Sequence, residues 1–157
     1  MSRPIPPLSR SPFIHLVEKA ARALGAEMVR SAREHGHSEI RLAHNAVFAT
    51  LYGEAGRTSE MAARAGITKQ SMGEVVRELA ELGILEVHPD PEDRRAKLVS
   101  YTDRGLEGAK EGTQHLKDLE KSYVEQFGEA DYEAARRVLE GVIARFAPES
   151  PRADDRA

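Results

Sequence analysis

The spacing of apolar residues along this chain shifts from helical to alternating and back, and the shifts divide it into elements. Phe13, Leu16, Val17, Ala20, Leu24 and Met28 recur at three- and four-residue steps, one stripe of a helix that runs to about Arg33 and is ended by His35-Gly36-His37. Leu42, Ala46, Phe48, Leu51 and Tyr52 form a second stripe, closed by Gly53 and Gly56. A short third helix is expected with Thr58 as N-cap, Glu60 at the positive end of its dipole, Met61, Ala62 and Ala65 inward, and Gly66 as the stop. Thr68 can cap a fourth, whose buried stripe is Met72, Val75, Val76, Leu79 and Leu82, with Gly83 at the C-terminal cap.

Beyond Gly83 the period shortens. Leu85 and Val87 alternate with Glu86 and His88, and Val99 and Tyr101 with Leu98 and Ser100, which predicts an antiparallel hairpin. Its loop, Pro89 to Ala96, is polar, carries two prolines and exceeds a two-residue turn. Thr102 is expected to cap a long helix carrying Leu106, Ala109, Thr113, Leu116, Leu119, Tyr123 and Phe127; a last helix carries Tyr132, Val138, Leu139, Val142, Ile143 and Phe146. Prolines at 4, 6, 7 and 12 make residues 1–12 a disordered arm without the continuous apolar run of a signal peptide, and the polar stretch 148–157 reads as a disordered tail. No stretch is apolar for long enough to span a bilayer, so no membrane partner is expected, and a cytoplasmic address fits.

Composition narrows the chemistry. With 40% hydrophobic and 31% charged residues in 157, the chain has the balance of one helix-rich globular domain. The absence of cysteine removes disulfides, thiolate metal sites and thiol redox switches. There is no glycine-rich phosphate loop, no G-x-S-x-G elbow and no H-E-x-x-H helix, so an enzyme is not expected. The net charge of −3 argues against a polyanion partner. From Arg57 to Arg104 the basic residues 57, 64, 69, 77, 94, 95, 97 and 104 face the acidic residues 60, 74, 78, 81, 86, 90, 92, 93 and 103, so any nucleic-acid site rests on placement.

A short helix, a glycine turn, a second helix and a two-stranded hairpin, in that order, are the parts of a winged helix-turn-helix. The fold class expected is therefore mainly α with a small β-hairpin wing and flanking dimerisation helices. The runs Thr58-Ser59-Glu60-Met61-Ala62, Ile67-Thr68-Lys69-Gln70-Ser71-Met72 and Leu79-Ala80-Glu81-Leu82-Gly83-Ile84-Leu85 resemble the MarR family. So, above all, does Asp90-Pro91-Glu92-Asp93-Arg94-Arg95-Ala96-Lys97 followed by Thr102-Asp103-Arg104-Gly105. The resemblance covers roughly residues 13–146 and implies a homodimeric, sequence-specific double-stranded DNA-binding regulator, a repressor on a pseudo-palindromic operator. On that plan 13–147 is a single domain, with 13–35 and 103–147 as dimerisation helices and 38–102 as the DNA-binding lobe.

With the apolar stripe of the fourth helix turned inward, Lys69, Gln70, Gly73, Glu74 and Arg77 are left on its open face. Gln70 can read an adenine edge, Lys69 can donate to guanine or phosphate, and Thr68 and Ser71 can bind phosphate beside the positive helix end. Gly73 permits close approach, and Glu74 is expected to pair with Arg77 or Lys69. Thr58, Arg94, Arg95 and Lys97 complete the candidate DNA contacts; by resemblance Asp93 braces one wing arginine while the other reaches a minor groove. The resemblance also implies a cleft for a small aromatic or phenolic ligand, for which His15, His44, Phe48 and Tyr52 are candidates. Two other readings stay open: a metal-responsive regulator using the histidines, although His35, His37, His44 and His115 show no ligand spacing, and a winged-helix protein-interaction module. No cofactor or metal is expected.

Overall fold

The computed structural model describes residues 10–51, 53, 55–93 and 95–146. The tail expected at 148–157 and most of the arm expected at 1–12 lie outside the described residues, as do Tyr52 and Arg94. Six α-helices and three short strands follow in the order α1 (Phe13–Glu34), α2 (Asn45–Phe48, entered through the 3-10 turn Leu42–His44), β1 (Gly56–Arg57), α3 (Thr58–Ala65), α4 (Lys69–Glu81), β2 (Leu85–Pro89), β3 (Lys97–Tyr101), α5 (Asp103–Phe127) and α6 (Glu129–Phe146). The architecture is mainly helical with a small antiparallel sheet, as the sequence pattern indicates.

Two compact units can be distinguished, one ending at His115 and the other beginning at Leu116. In the first, Met61, Met72, Leu79, Val47 and Val99 are wholly buried, and Leu51, Ala62, Val76, Ile84 and Leu85 close around them. These are the inward positions of α2, α3, α4 and the hairpin. Each fully buried Val, Leu or Met stabilises the lobe by about 1.5–3 kcal/mol, so α4 is held by its apolar stripe and not by the propensity of a 13-residue helix with a central glycine.

The sheet has the order β1-β3-β2, with Leu85 opposite Tyr101, Val87 opposite Val99 and Pro89 opposite Lys97. Strand β1, pairing Gly56 with Val99 and Arg57 with Leu98, does not show in the sequence pattern because two residues cannot display an alternation. It also overturns one expectation. Arg57, extended for the ladder, occupies the N-cap position of α3, and Thr58 is already the first helical residue, with no side-chain cap bond.

The cap at Thr68 is as expected: its Oγ1 accepts the Ser71 N–H at 3.0 Å. At its other end α4 closes with Ile84 N–H donating to Leu79 O and Gly83 N–H to Ala80 O, both 2.9 Å. This paired arrangement needs a left-handed residue, supplied by Gly83 at φ +71°. Two helices keep large apolar surfaces in water. On α1, Phe13, Ile14 and Leu16 are at least half exposed, and on α6, which buries no residue, Val138, Ile143 and Phe146 are 52%, 65% and 73% exposed.

Candidate nucleic-acid interface

Burial of Met72, Val76 and Leu79 fixes which face of α4 looks outward. Lys69, Gln70, Glu74 and Arg77 are exposed, and Gln70, Gly73 and Arg77 stand at three- and four-residue steps along one stripe. A Cβ built on Gly73 meets nothing within 4 Å, so the glycine is not demanded by packing against the described residues. At the N-terminal end the Thr68 and Ser71 hydroxyls lie 2.8 Å apart. One donates to the other, which leaves one hydroxyl proton free beside the unsatisfied amides of the first turn, a setting suited to an anionic oxygen.

Glu74 does not pair with Lys69 or Arg77. Its Oε1 accepts from Gln70 Nε2 at 3.2 Å, because residues four apart are nearest neighbours on the same stripe. The contact orients the Gln70 amide and leaves its oxygen and second N–H outward. Lys69 and Arg77 form no hydrogen bond or ion pair through their side chains with other described residues.

The loop between β2 and β3 is pinned at its base. Asp90, only 2% exposed, takes the Arg57 Nε–H on Oδ2 at 2.6 Å and the Glu92 N–H on Oδ1 at 2.9 Å. Its own N–H donates to Ala96 O at 3.1 Å. The Glu92 amide first, and then the Arg57 guanidinium, hold the Asp90 carboxyl below the usual carboxylate range. Arg57 also approaches Glu92 at 3.4 Å and Glu60 at 3.9 Å. This pair was not legible in the sequence, where Arg57 reads as the residue before a cap and its partner lies 33 positions away.

Asp93 Oδ1 accepts the Arg95 main-chain N–H at 3.0 Å, shaping the turn, and the Arg95 guanidinium makes no hydrogen bond or ion pair with other described residues. Arg94 lies outside the described residues. Arg95 and Lys97 are exposed, Lys97 at the end of β3 opposite Pro89. Thr58 is half-buried at the start of α3.

Of the residues named for a ligand cleft, the three that are described stand in different settings. His15 is exposed on α1, Phe48 is half-buried with its ring stacked on Tyr101 at 6.5 Å, Tyr52 lies outside the described residues, and His44 is wholly enclosed. His44 Nδ1 accepts the Arg41 N–H at 3.2 Å, while Nε2 faces Glu78 Oε1 at 3.3 Å without the alignment of a hydrogen bond. Desolvation, and then Arg41, push its pKa down. An open groove of about 490 Å³ lies instead along α1, lined by Ala26, Val29, Arg33 and Glu34 together with Arg41 and Leu42.

Among the described residues no three His, Cys, Asp or Glu side chains are grouped to hold a metal ion. His37 meets Glu111 at 3.1 Å and His115 meets Glu27 at 3.0 Å, one carboxylate each. No helix among the described residues is long and apolar enough to cross a membrane.

Comparison with known proteins agrees with this geometry. The model of the MarR family matches residues 46–96, the segment from α2 to the end of the loop. No curated protein matches the chain by sequence. Among solved structures, a MarR transcriptional regulator from Methanosarcina mazei is similar with a TM-score of 0.71 at 16% identity, over 85% of this chain and 95% of that one. MarR itself is similar at 0.68 and 20% identity, over 86% and 97%. The transcriptional regulator MosR of M. tuberculosis, solved in complex with DNA, is similar at 0.64 and 18% identity, over 86% and 96%. At these identities the likeness shows a shared fold.

Proposed function

We propose that this chain, which has the winged helix-turn-helix fold and matches the MarR family over residues 46–96, acts as a sequence-specific double-stranded DNA-binding repressor in the cytoplasm, working as a homodimer on a pseudo-palindromic operator. The observation that carries this reading is the outward stripe of α4. Gln70 and Arg77 flank an unobstructed Gly73, with Lys69 beside them, and the cations on this face have no carboxylate partner among the described residues. A helix with that face can lie in a major groove, Gln70 toward a base edge and Lys69 and Arg77 toward phosphate or guanine. Arg95 and Lys97 carry charge on the wing, whose base the Arg57–Asp90 pair holds still. The fold shared with a regulator solved on DNA supports the same direction.

Dimerisation is supported by apolar surface. α1 and α6 each expose more large hydrophobic side chains than a surface helix of a monomer carries without reason. On this plan they and α5 form the dimer while 38–102 reads DNA. A small aromatic or phenolic acid is the proposed modulator, and the groove beside Arg33 has the volume for one.

A gel shift with the DNA flanking the chain's own coding region, at several salt concentrations, tests the reading. Binding that discriminates against unrelated duplex is expected. Equal, weak binding to all duplexes would return the chain to a protein-interaction role. Sedimentation should give a dimer at micromolar concentration, and a stable monomer would remove the basis for a palindromic site.

A further inference from the structure

Helix α4 ends against the beginning of α5, and three successive carbonyls just beyond its last residue are taken there. Leu82 O accepts Arg104 Nη1–H at 2.6 Å, Gly83 O accepts the Thr102 hydroxyl at 2.7 Å, and Ile84 O accepts the Thr102 N–H at 3.1 Å. The same Thr102 Oγ1 accepts the Gly105 N–H at 3.0 Å and so caps α5. One hydroxyl thus closes the start of one helix and the end of another.

Gly105 shows how close the two elements come. A Cβ there would stand 1.9 Å from Ile84 O and 2.9 Å from its carbonyl carbon, main-chain atoms that cannot swing away, so any side chain would force the helices apart. Arg104 adds charge of the favourable sign at the C-terminal end of α4. Its other branch reaches Glu39, in the segment between α1 and α2.

We propose that Thr102, Arg104 and Gly105 are positioning residues for DNA recognition, locking the C-terminal end of α4 to the first turn of α5 so that α5 sets the direction of the reading face. The proposal rests on the DNA-binding reading above. Packing of Met72, Val76 and Leu79 into the lobe leaves a helix free to roll by small angles, since apolar contacts are not directional. Hydrogen bonds from one rigid turn to three successive carbonyls, which point in different directions, do not permit that roll. In a two-fold dimer the roll of α4 decides where each reading face meets its half-site, so the clamp contributes to half-site spacing.

The test uses the full chain. Arg104→Met keeps the unbranched stem of a half-exposed side chain and removes its bonds to Leu82 O and Glu39. Arg104→Lys keeps one donor, and Thr102→Ser keeps the hydroxyl. Duplexes are selected from a randomised pool with the parent protein and then remade with one base pair inserted or removed at the centre.

For Arg104→Met, dimer and melting profile should be retained while the parental duplex binds roughly tenfold more weakly. The penalty for altered spacing should shrink by a similar factor, and amide exchange of residues 79–85 should speed up in the absence of DNA. Arg104→Lys should fall between, and Thr102→Ser should match the parent. An undiminished spacing penalty, or unchanged exchange at 79–85, would overturn the clamp. If the parent selects no duplex, the DNA reading fails, and exchange alone then decides whether the turn restrains α4.

Discussion

Replacing Gly73 with alanine is expected to strengthen the fold and weaken the DNA complex, an opposition that few positions allow. Gly73 is the fifth of the 13 residues of α4, and a Cβ there finds nothing within 4 Å. Within a helix, glycine costs about 0.5–1 kcal/mol relative to alanine, through the backbone freedom it gives up on folding. With the space open, Gly73→Ala should recover that amount, raising the melting temperature by about 1–4 °C for a chain of this size. On DNA the methyl stands between Gln70 and Arg77, on the line where the helix axis comes nearest the groove floor. Holding the helix back far enough to break one good base contact costs about 1–3 kcal/mol, or roughly 5- to 150-fold in affinity. Melting followed by circular dichroism at 222 nm and anisotropy titration with matched and mismatched duplexes measure both halves. A variant that is more stable and binds as tightly as the parent would show that this face does not meet DNA; a destabilised variant would show that the space at Gly73 is not open.

Four further substitutions separate the roles of neighbouring groups. Gln70→Ala should cost about 1–3 kcal/mol on the preferred duplex and flatten preference at one symmetric pair of positions, whereas Lys69→Ala should weaken all duplexes alike and lower the salt slope by about one for each copy in the dimer. Arg95→Ala should weaken binding with the melting curve unchanged, because its side chain is exposed and makes no hydrogen bond or ion pair with other described residues; equal affinity for parent and variant would take the wing off the DNA. Asp90→Asn probes the wing base through pH. The folded-state pKa of Asp90 lies below its unfolded value, so the pair's contribution is complete above the ordinary carboxylate range and is lost as pH falls through the depressed value. Urea titrations should therefore show parent and Asp90→Asn differing by a constant amount from pH 5 to 8 and converging in acid; a gap that persists at the lowest pH would mean that the carboxylate charge is not what holds Arg57.

The elements built from many residues were legible in the sequence, and the features built from one or two were not. α1, α3, α4, the hairpin and α5 announce themselves because burial of one face imposes a period, and Gly66 and Gly83 end helices in the left-handed conformation the chain needs there. Strand β1 carries no period, and its presence moves the start of α3 so that Arg57 takes the place expected for Thr58. Partner choice among charged residues was the least legible layer. Glu74 has Gln70 and Arg77 four and three residues away on α4, and the geometry that selects Gln70 depends on side-chain directions that a sequence does not display. His44 reads from its neighbours as a polar residue available to a ligand, but the turn at Leu42–His44 carries it wholly inside, against Arg41 and Glu78.

The net charge of −3 bears on the DNA reading through its distribution. Glu78 on Arg41 and Glu39 on Arg104 are one-to-one pairs, whereas Asp90 and Glu92 share Arg57, and Glu27 and Glu34 share Arg30, so those two clusters keep part of the acidic excess. Such pairs look like short dipoles from outside, and their fields decay within a Debye length of about 8–10 Å at ordinary salt. Lys69, Arg77, Arg95 and Lys97 have no such partner among the described residues, so a phosphate approaching α4 and the wing meets their charge and little of the acid that balances the total. If all of them bind phosphate in both copies of a dimer, the logarithm of affinity should fall with the logarithm of salt at a slope of up to about 7, at 0.9 for each cation. A titration from 50 to 300 mM salt measures that slope directly. A value below one would mean that these cations do not meet the backbone of DNA, and the −3 would then report the partner more truthfully than the placement does.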